Sequence, residues 1–297
     1  FNNEIILLLY AMVLKIIYNI GLLKRIIIIN LYMKINYIMR KSKILFFVVI
    51  MLFECSVNAQ DTLRLRVMTY NIRFGELATV DRLAEHIKSF KPDFVALEEV
   101  DVNTDRSLAP HQNGRNIISE LAGKSNMFGL YGKTINFNKG YYGIAILSRY
   151  PYIHVNKLNL PNPQGTEPRV LLEALFEIGE ADTIIFAATH LDVKDEKTRR
   201  LQAEYITDYF KKFSCPVIIG GDFNAKPDSE TIKGIMSSNW FDATDSSLTF
   251  PAREPKIKID YIFARPEKGW SLIKSQAVRS ELSDHSPIIS GLEYVKN

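Results

Sequence analysis

From Leu63 onward the chain alternates short apolar runs with segments of helical period. The runs at 65–70, 94–97, 143–148, 170–176, 183–189, 217–220 and 259–264 are rich in β-branched and aliphatic residues, which predicts buried strands. Amphipathic helices are predicted at 80–90, 116–122 and 197–213. No Pro/Gly/Ser linker separates these segments, so residues 60–297 read as one domain. The order is not a clean strand–helix repeat, because 143–189 reads as three strands in succession, like an antiparallel meander. Mixed sheets packed on one another with helices outside satisfy that pattern. The polar, turn-rich stretches at 101–114, 156–169 and 245–258 are expected to be loops over a site.

Residues 1–59 break this pattern with a crowd of Ile, Leu, Asn, Lys and Tyr and very few acids. Met39-Arg40-Lys41-Ser42-Lys43, the apolar run 44–53 and Ser56-Val57-Asn58-Ala59 have the order of a secretory signal: a basic start, an apolar core and a small-x-small end. The core falls short of the roughly 20 apolar residues that span a bilayer. The expectation is therefore a signal peptide at 39–59, cleavage near Ala59 and a secreted or periplasmic domain. Lipidation at Cys55 is the alternative, disfavoured by the bulky acid Glu54 before it. Residues 1–38 are expected to be translated upstream sequence, or else a disordered or hydrophobic leader. A membrane helix within 5–32 is the rival reading, although Lys15, Lys24 and Arg25 fall inside that span.

Charge narrows the function. Residues 1–59 hold seven bases and two acids, so removing them turns 37 bases against 33 acids into 30 against 31. A near-neutral domain offers no bulk basic face for long nucleic acid. Cys215 would be the only cysteine left, which excludes an intramolecular disulfide.

Polar residues recur where apolar runs end. Asn71 follows Val67-Met68-Thr69-Tyr70, Glu98-Glu99 follow Phe94-Val95-Ala96-Leu97, His190 follows the run ending at Thr189, and Asp222 and Asn224 follow Val217-Ile218-Ile219-Gly220-Gly221. Strand ends present side chains into a common crevice, so these groups are placed to converge on one metal and one substrate. Any one of them alone is more often a turn or cap residue.

Taken in order, Met68-Thr69-Tyr70-Asn71-Ile72, Pro92-Asp93-Phe94-Val95-Ala96-Leu97-Glu98-Glu99-Val100, Gly143-Ile144-Ala145-Ile146-Leu147-Ser148-Arg149, Thr189-His190, Gly221-Asp222-Phe223-Asn224, Ile259-Asp260-Tyr261-Ile262 and Ser283-Asp284-His285-Ser286-Pro287 resemble the motifs of the endonuclease/exonuclease/phosphatase superfamily. The resemblance covers residues 63–293. It implies a four-layer α/β sandwich, two mixed β-sheets face to face with helices on both outer sides. It also implies Mg²⁺-dependent cleavage of a phosphoester, with Mn²⁺ as a possible substitute. Glu99 would be the principal metal ligand, assisted by Asn71 and Asp284, since Mg²⁺ takes oxygen donors. His190 would contact the scissile phosphate. Asp222 and Asn224 would position or activate water, and His285, oriented by Asp260, would act as base or as phosphate-binding imidazolium.

The position before the metal glutamate is often Gln in this family and is Glu98 here. Glu98 is the fallback ligand, or it points away as strand alternation dictates. Asn71, His190 and Asn224 would touch the substrate phosphate, and Arg106 is the candidate arginine clamp, with Arg149 and Arg169 also flanking motifs or rim loops. His86, His111 and His154 fit no motif. Tyr141-Tyr142 between Gly140 and Gly143 would make either a flexible aromatic lid or a strand edge.

A calcineurin-like phosphatase would need His-rich clusters that the five histidines do not form. A catalytically inactive binding module would have lost part of Glu99, Asp222, Asn224, Asp260 and His285, and all are present. The expected substrate is a small-molecule or lipid head-group phosphodiester, with nucleic acid second, and no obligate protein partner is evident, so a monomer is expected. One prediction follows from the leader: intact-mass measurement on exported protein should find Gln60 or a near neighbour first. A mass retaining 1–38 would overturn the upstream reading.

Overall fold

The structure is a computed structural model that describes residues 29–31, 34, 62–179 and 182–295. The chain divides into two units, Phe1–Gln60 and Asp61–Asn297. In the first, the described residues are helical, and the expected leader, signal core and cleavage site lie outside the described residues. Everything below concerns the second.

Its strands are β1 (Thr62–Asn71), β2 (Phe94–Val102), β3 (Phe128–Phe137), β4 (Gly140–Ser148), β5 (Tyr152–Asn159), β6 (Val170–Ile178), β7 (Asp182–His190), β8 (Val217–Asp222), β9 (Phe241–Asp242), β10 (Asp260–Arg265), β11 (Trp270–Ala277) and β12 (Ile288–Val295). They form two six-stranded sheets, ordered β11-β12-β1-β2-β4-β3 and β5-β6-β7-β8-β10-β9. Both are mixed: β1 runs parallel to β2, and β7 to β8, while the other pairs are antiparallel.

Alternation along the strands decides which side chains meet. Phe94, Ala96 and Ile146 of the first sheet and Phe176, Phe186 and Ile218 of the second share one buried cluster between the sheets. Phe94 stacks on Phe186 at 4.9 Å between ring centroids and meets Phe176 edge-on at 4.9 Å. The opposite faces take the helices. Helices α1 (Val80–Ser89) and α2 (Ile117–Ser125) cover Met68, Val95 and Leu97. Helices α3 (Glu196–Phe210) and α4 (Glu230–Met236) cover Ile185, Ile219 and Phe263. The result is the four-layer α/β sandwich expected above. Side-chain oxygens of Thr79, Asn116, Asp195 and Ser229 accept the first free N–H groups of the four helices, so each start is written in the sequence.

Two expectations need correction, and one open alternative is decided. The stretch 143–189 is not one meander: β4 pairs with β2 and β3, and the meander of the other sheet is β5-β6-β7. The segment expected as a loop from 156 begins inside β5, a largely exposed edge strand whose sequence carries no apolar run. The Tyr141-Tyr142 segment is strand throughout. A Cβ at Gly140 would meet Val102 O at 2.2 Å and one at Gly143 would meet Gly132 O at 2.2 Å, so these glycines serve close strand approach and not a flexible lid.

Small residues bring the sheets and strands together beneath the site. A Cβ on Gly220 would lie 2.9 Å from Ala96 Cβ of the other sheet, and one on Gly221 would lie 2.2 Å from Thr189 O. Backbone cannot yield as a side chain can. Gly221→Ala is therefore predicted to cost about 1–3 kcal/mol in chemical denaturation, the usual range for overpacking. An unchanged midpoint would contradict the close β7–β8 approach.

Candidate active site

The sheet registers assemble the site. In the second sheet Asp222 lies beside His190 in the parallel β7–β8 ladder and beside Asp260 in the antiparallel β8–β10 ladder. In the first sheet Asn71 lies beside Glu98. Loop 278–287 returns Asp284 and His285 to the same end, held where Ser283 Oγ donates to Asn71 O at 2.6 Å and Ser286 N to Thr249 O at 2.8 Å.

The buried carboxylate of Asp222 is the centre of this assembly. Its Oδ2 accepts from Asn71 Nδ2 at 3.2 Å and faces His190 Nε2 at 3.5 Å and His285 Nε2 at 3.7 Å. Its Oδ1 accepts from Asn224 N at 2.9 Å, for which Asn224 adopts φ +49°. Asn224 Nδ2 donates to Leu191 O at 3.1 Å, tying this turn to the end of β7.

His285 Nδ1 sits 3.0 Å from Asp260 Oδ2 and 3.1 Å from Oδ1, and its ring packs on Phe250 at 4.7 Å. A carboxylate at that distance holds the proton on Nδ1. Burial pulls the imidazole's pKa down, but the carboxylates of Asp260 and Asp222 outweigh it and push it up to about 10. Burial, reinforced by Asp260 and opposed by His285, pushes Asp222 up to about 7. The two therefore titrate as a coupled pair, with His285 the stronger holder of the proton.

Glu98 and Glu99 do not follow simple alternation. The β2–β4 register shifts between Leu97 and Val100, and Glu99 adopts φ +57°. This bulge brings both acids toward the site. Glu98 is fully buried, accepts from Thr69 Oγ1 at 3.1 Å and leaves Oε2 without a partner among the described residues. Burial, then Asp260 and Asp222, hold its pKa well above the carboxylate range. Glu99 is half-buried and accepts one hydrogen bond, from Asn71 Nδ2 at 3.1 Å. Burial raises its pKa too, and among the described residues no cation pairs with it.

The donor set fits a hard divalent ion. Five carboxyls, Glu98, Glu99, Asp222, Asp260 and Asp284, gather around Arg73, Arg169 and His285, and among the described residues Glu99 forms no ion pair. An oxygen-rich anionic cluster of this kind suits Mg²⁺ or Mn²⁺. Asp222, Asp260 and His285 also offer atoms within 4.8 Å of one another, but Nδ1 of His285 is already given to Asp260, which suits proton handling.

The structure brings together Asn71, Glu99, His190, Asp222, Asn224, Asp260 and His285. Asn71 directs its amide nitrogen to Glu99 and Asp222 while its Oδ1 accepts from Arg73 N at 3.0 Å, which makes it an orienter of both carboxylates. Asp284 is engaged by Arg73 Nη1 at 2.6 Å. Arg106 is committed elsewhere: its guanidinium grips Asp101 at 2.5 and 3.2 Å and lies between the rings of Phe74 and Phe137. Arg149 pairs with Asp93 at the start of β2, the far end from the site. Arg169 reaches His190 Nδ1 at 3.2 Å. Sequence reading missed Arg73, whose signal is an arginine two places beyond the motif asparagine. It also missed Phe250, which carries no such signal because it arrives on an irregular loop.

Comparison with known proteins agrees with this geometry. The endonuclease/exonuclease/phosphatase family profile matches residues 68–285. A family protein from Bacteroides thetaiotaomicron superposes with TM-score 0.66 at 16% identity, covering 80% of this chain and 100% of its own. A mannosyl-6-phosphatase of the same organism gives TM-score 0.62 at 17% identity over 77% and 99%. The human Nocturnin catalytic domain with bound sulfate gives 0.60 at 20% identity over 79% and 97%. In sequence, the uncharacterized Escherichia coli protein YbhP is 26% identical over 168 residues, 53% of this chain and 65% of its own length. The match begins in β1 and ends on the histidine that Asp260 holds, spanning every residue gathered above: this chain belongs to the endonuclease/exonuclease/phosphatase family and carries its phosphoesterase fold.

Proposed function

We propose that the protein is an exported, monomeric Mg²⁺-dependent hydrolase that cleaves a phosphodiester of a small molecule or lipid head group. The observation that carries the reading is Asp222 Oδ2, faced at once by Asn71, His190 and His285 in a buried pocket of carboxyls. A phosphodiester resists attack because its oxygens are anionic, so catalysis needs a proton acceptor for water beside groups that neutralise charge.

In this reading Asp222 takes the proton from the attacking water, since Asp260 keeps the proton on His285. Asn71 and Asn224 hold the Asp222 carboxylate in place through their contacts to Oδ2 and Oδ1. His285 as imidazolium and His190 as a ring N–H donor meet the phosphoryl oxygens. Glu99 and Asp284 would hold the metal, with Glu98 behind them. When bound, the divalent ion supplies Lewis-acid neutralisation of the phosphate and its leaving oxygen.

The near-neutral charge of residues 60–297 supports a small or lipid-borne ester over long nucleic acid. The likeness to a mannosyl-6-phosphatase keeps phosphomonoesters within the class to be assayed.

Exhaustive chelation is predicted to abolish turnover, with Mg²⁺ or Mn²⁺ restoring it, in assays against a panel of diesters, monoesters and plasmid DNA. Asp222→Asn or His285→Ala should lower kcat by roughly 10²–10⁴-fold with little change in KM, as expected for a proton acceptor and a charged donor that act mainly in the transition state. Glu99→Ala should instead raise the Mg²⁺ concentration required. Full activity after chelation would remove the metal reading. Turnover of plasmid DNA equal to that of the best small ester would remove the substrate reading, and an inactive wild type would favour a binding module.

A further inference from the structure

Asp222 Oδ2 stands 3.5 Å from His190 Nε2, beyond the 3.0 Å at which Asp260 holds His285 Nδ1. His190 also neighbours Arg169, the last residue of loop 160–169, and both side chains are almost fully buried. Leu160 N donates to Arg169 O at 2.9 Å, which closes the loop and sets the start of β6 beside the end of β5. Arg169 Nη1 lies 2.9 Å from Glu167 Oε1 and 3.2 Å from His190 Nδ1. Its two hydrogens therefore serve one acceptor each. Arg169 Nε is buried with no partner among the described residues, so this guanidinium is held for something other than surface solvation.

We propose that Arg169 is the positioning residue of His190, fixing the ring as the neutral tautomer with a bare Nδ1 and its proton on Nε2. A guanidinium has only donors, so the nitrogen it faces must be the acceptor. A proton on Nδ1 would oppose an N–H of Arg169 in a buried site, where the repulsion is weakly screened. The one remaining ring proton then lies on Nε2, the edge that faces Asp222 Oδ2 at 3.5 Å.

The groups around the ring agree with a neutral imidazole. Burial, then Arg169 and His285, drive its pKa well below the histidine range. His190 is accordingly a donor and not a proton acceptor or a cation. Arg169 supplies the positive charge from behind, so the pair presents a polarised N–H to an anionic oxygen without placing a titrating cation next to His285. The two histidines divide the work by their partners: a carboxylate makes His285 the charged ring, and a guanidinium makes His190 the uncharged one.

The placement of the ring proton stands on geometry alone. Its kinetic consequence rests on the proposed phosphoesterase reading. Long-range ¹H–¹⁵N correlation spectra of the full chain labelled with ¹⁵N-histidine separate the two, with His190→Asn identifying the ring. The wild type is expected to show His190 neutral with its proton on Nε2 across neutral pH. Arg169→Met should give a tautomer mixture or an imidazolium, and Arg169→Lys, which restores a donor, should return the Nε2–H pattern. In assays Arg169→Met should lower kcat on the order of 10²-fold, the scale of losing one oriented donor, with KM changed less.

A wild-type ring protonated on Nδ1, or an imidazolium, would overturn the proposal, as would an Arg169→Met ring with unchanged tautomer. If Arg169→Met fails to fold, the wild-type and Arg169→Lys spectra decide by the same criteria. An Nε2–H ring in a protein without phosphoesterase activity would uphold this placement while refuting the function proposed above.

Discussion

A buried carboxylate is costly unless charge or hydrogen bonds replace the water it loses, and Asp222 meets that demand from three directions. Asn71 comes from the first sheet, His190 from the neighbouring parallel strand, and His285 from loop 278–287. No single element supplies the solution, so the carboxylate can stay buried only when both sheets and the loop are in place. The fold details that look incidental serve this convergence. Gly220 admits Ala96 across the sheet interface, and Gly221 lets β8 lie against the end of β7. The Phe94–Phe186 stack packs the inter-sheet core from which these strands run to the site.

The same demand explains how charge is partitioned. Asp260 gives its carboxylate to His285 and leaves Asp222 as the group whose proton is most easily exchanged. Glu98 is deeper, hydrogen-bonded once, and under the field of Asp260 and Asp222. Glu99, lifted from the strand by its left-handed backbone, has one amide donor and, among the described residues, no paired cation. A cluster with this surplus of carboxyls next to an unpaired one is the arrangement a hard cation completes.

Much of the site was legible because apolar runs end where chemistry begins: Asn71, Glu99, His190, Asp222 and Asn224 were all readable as strand-end residues, and the ordered motifs added Asp260, Asp284 and His285. The paired sheets followed from the succession of runs. What escaped has physical reasons. Alternation misleads at Glu98-Glu99, because a bulge is a backbone event that the pattern of apolar residues does not record. Strand β5 is exposed on most of its length, and β11 and β12 mix polar and apolar positions, so none carries a buried-strand signature. The arginines were indistinguishable in sequence, since each sits near a motif. Only packing shows Arg106 sandwiched by aromatic rings over Asp101, Arg149 at the far end, and Arg169 against His190.

The central claim is that the Asp260 carboxylate sets the proton affinities of both Asp222, which it repels, and His285, which it attracts. The most direct test is the pH dependence of kcat/KM for the wild type and Asp260→Asn at one fixed Mg²⁺ concentration. The wild type is expected to rise as Asp222 loses its proton, through about pH 7, and to fall as His285 loses its own, toward about pH 10. Removing the Asp260 charge takes away the repulsion that raises Asp222 and the attraction that raises His285, so both limbs should move to lower pH. Limbs that stay where they are in the wild type would contradict the account.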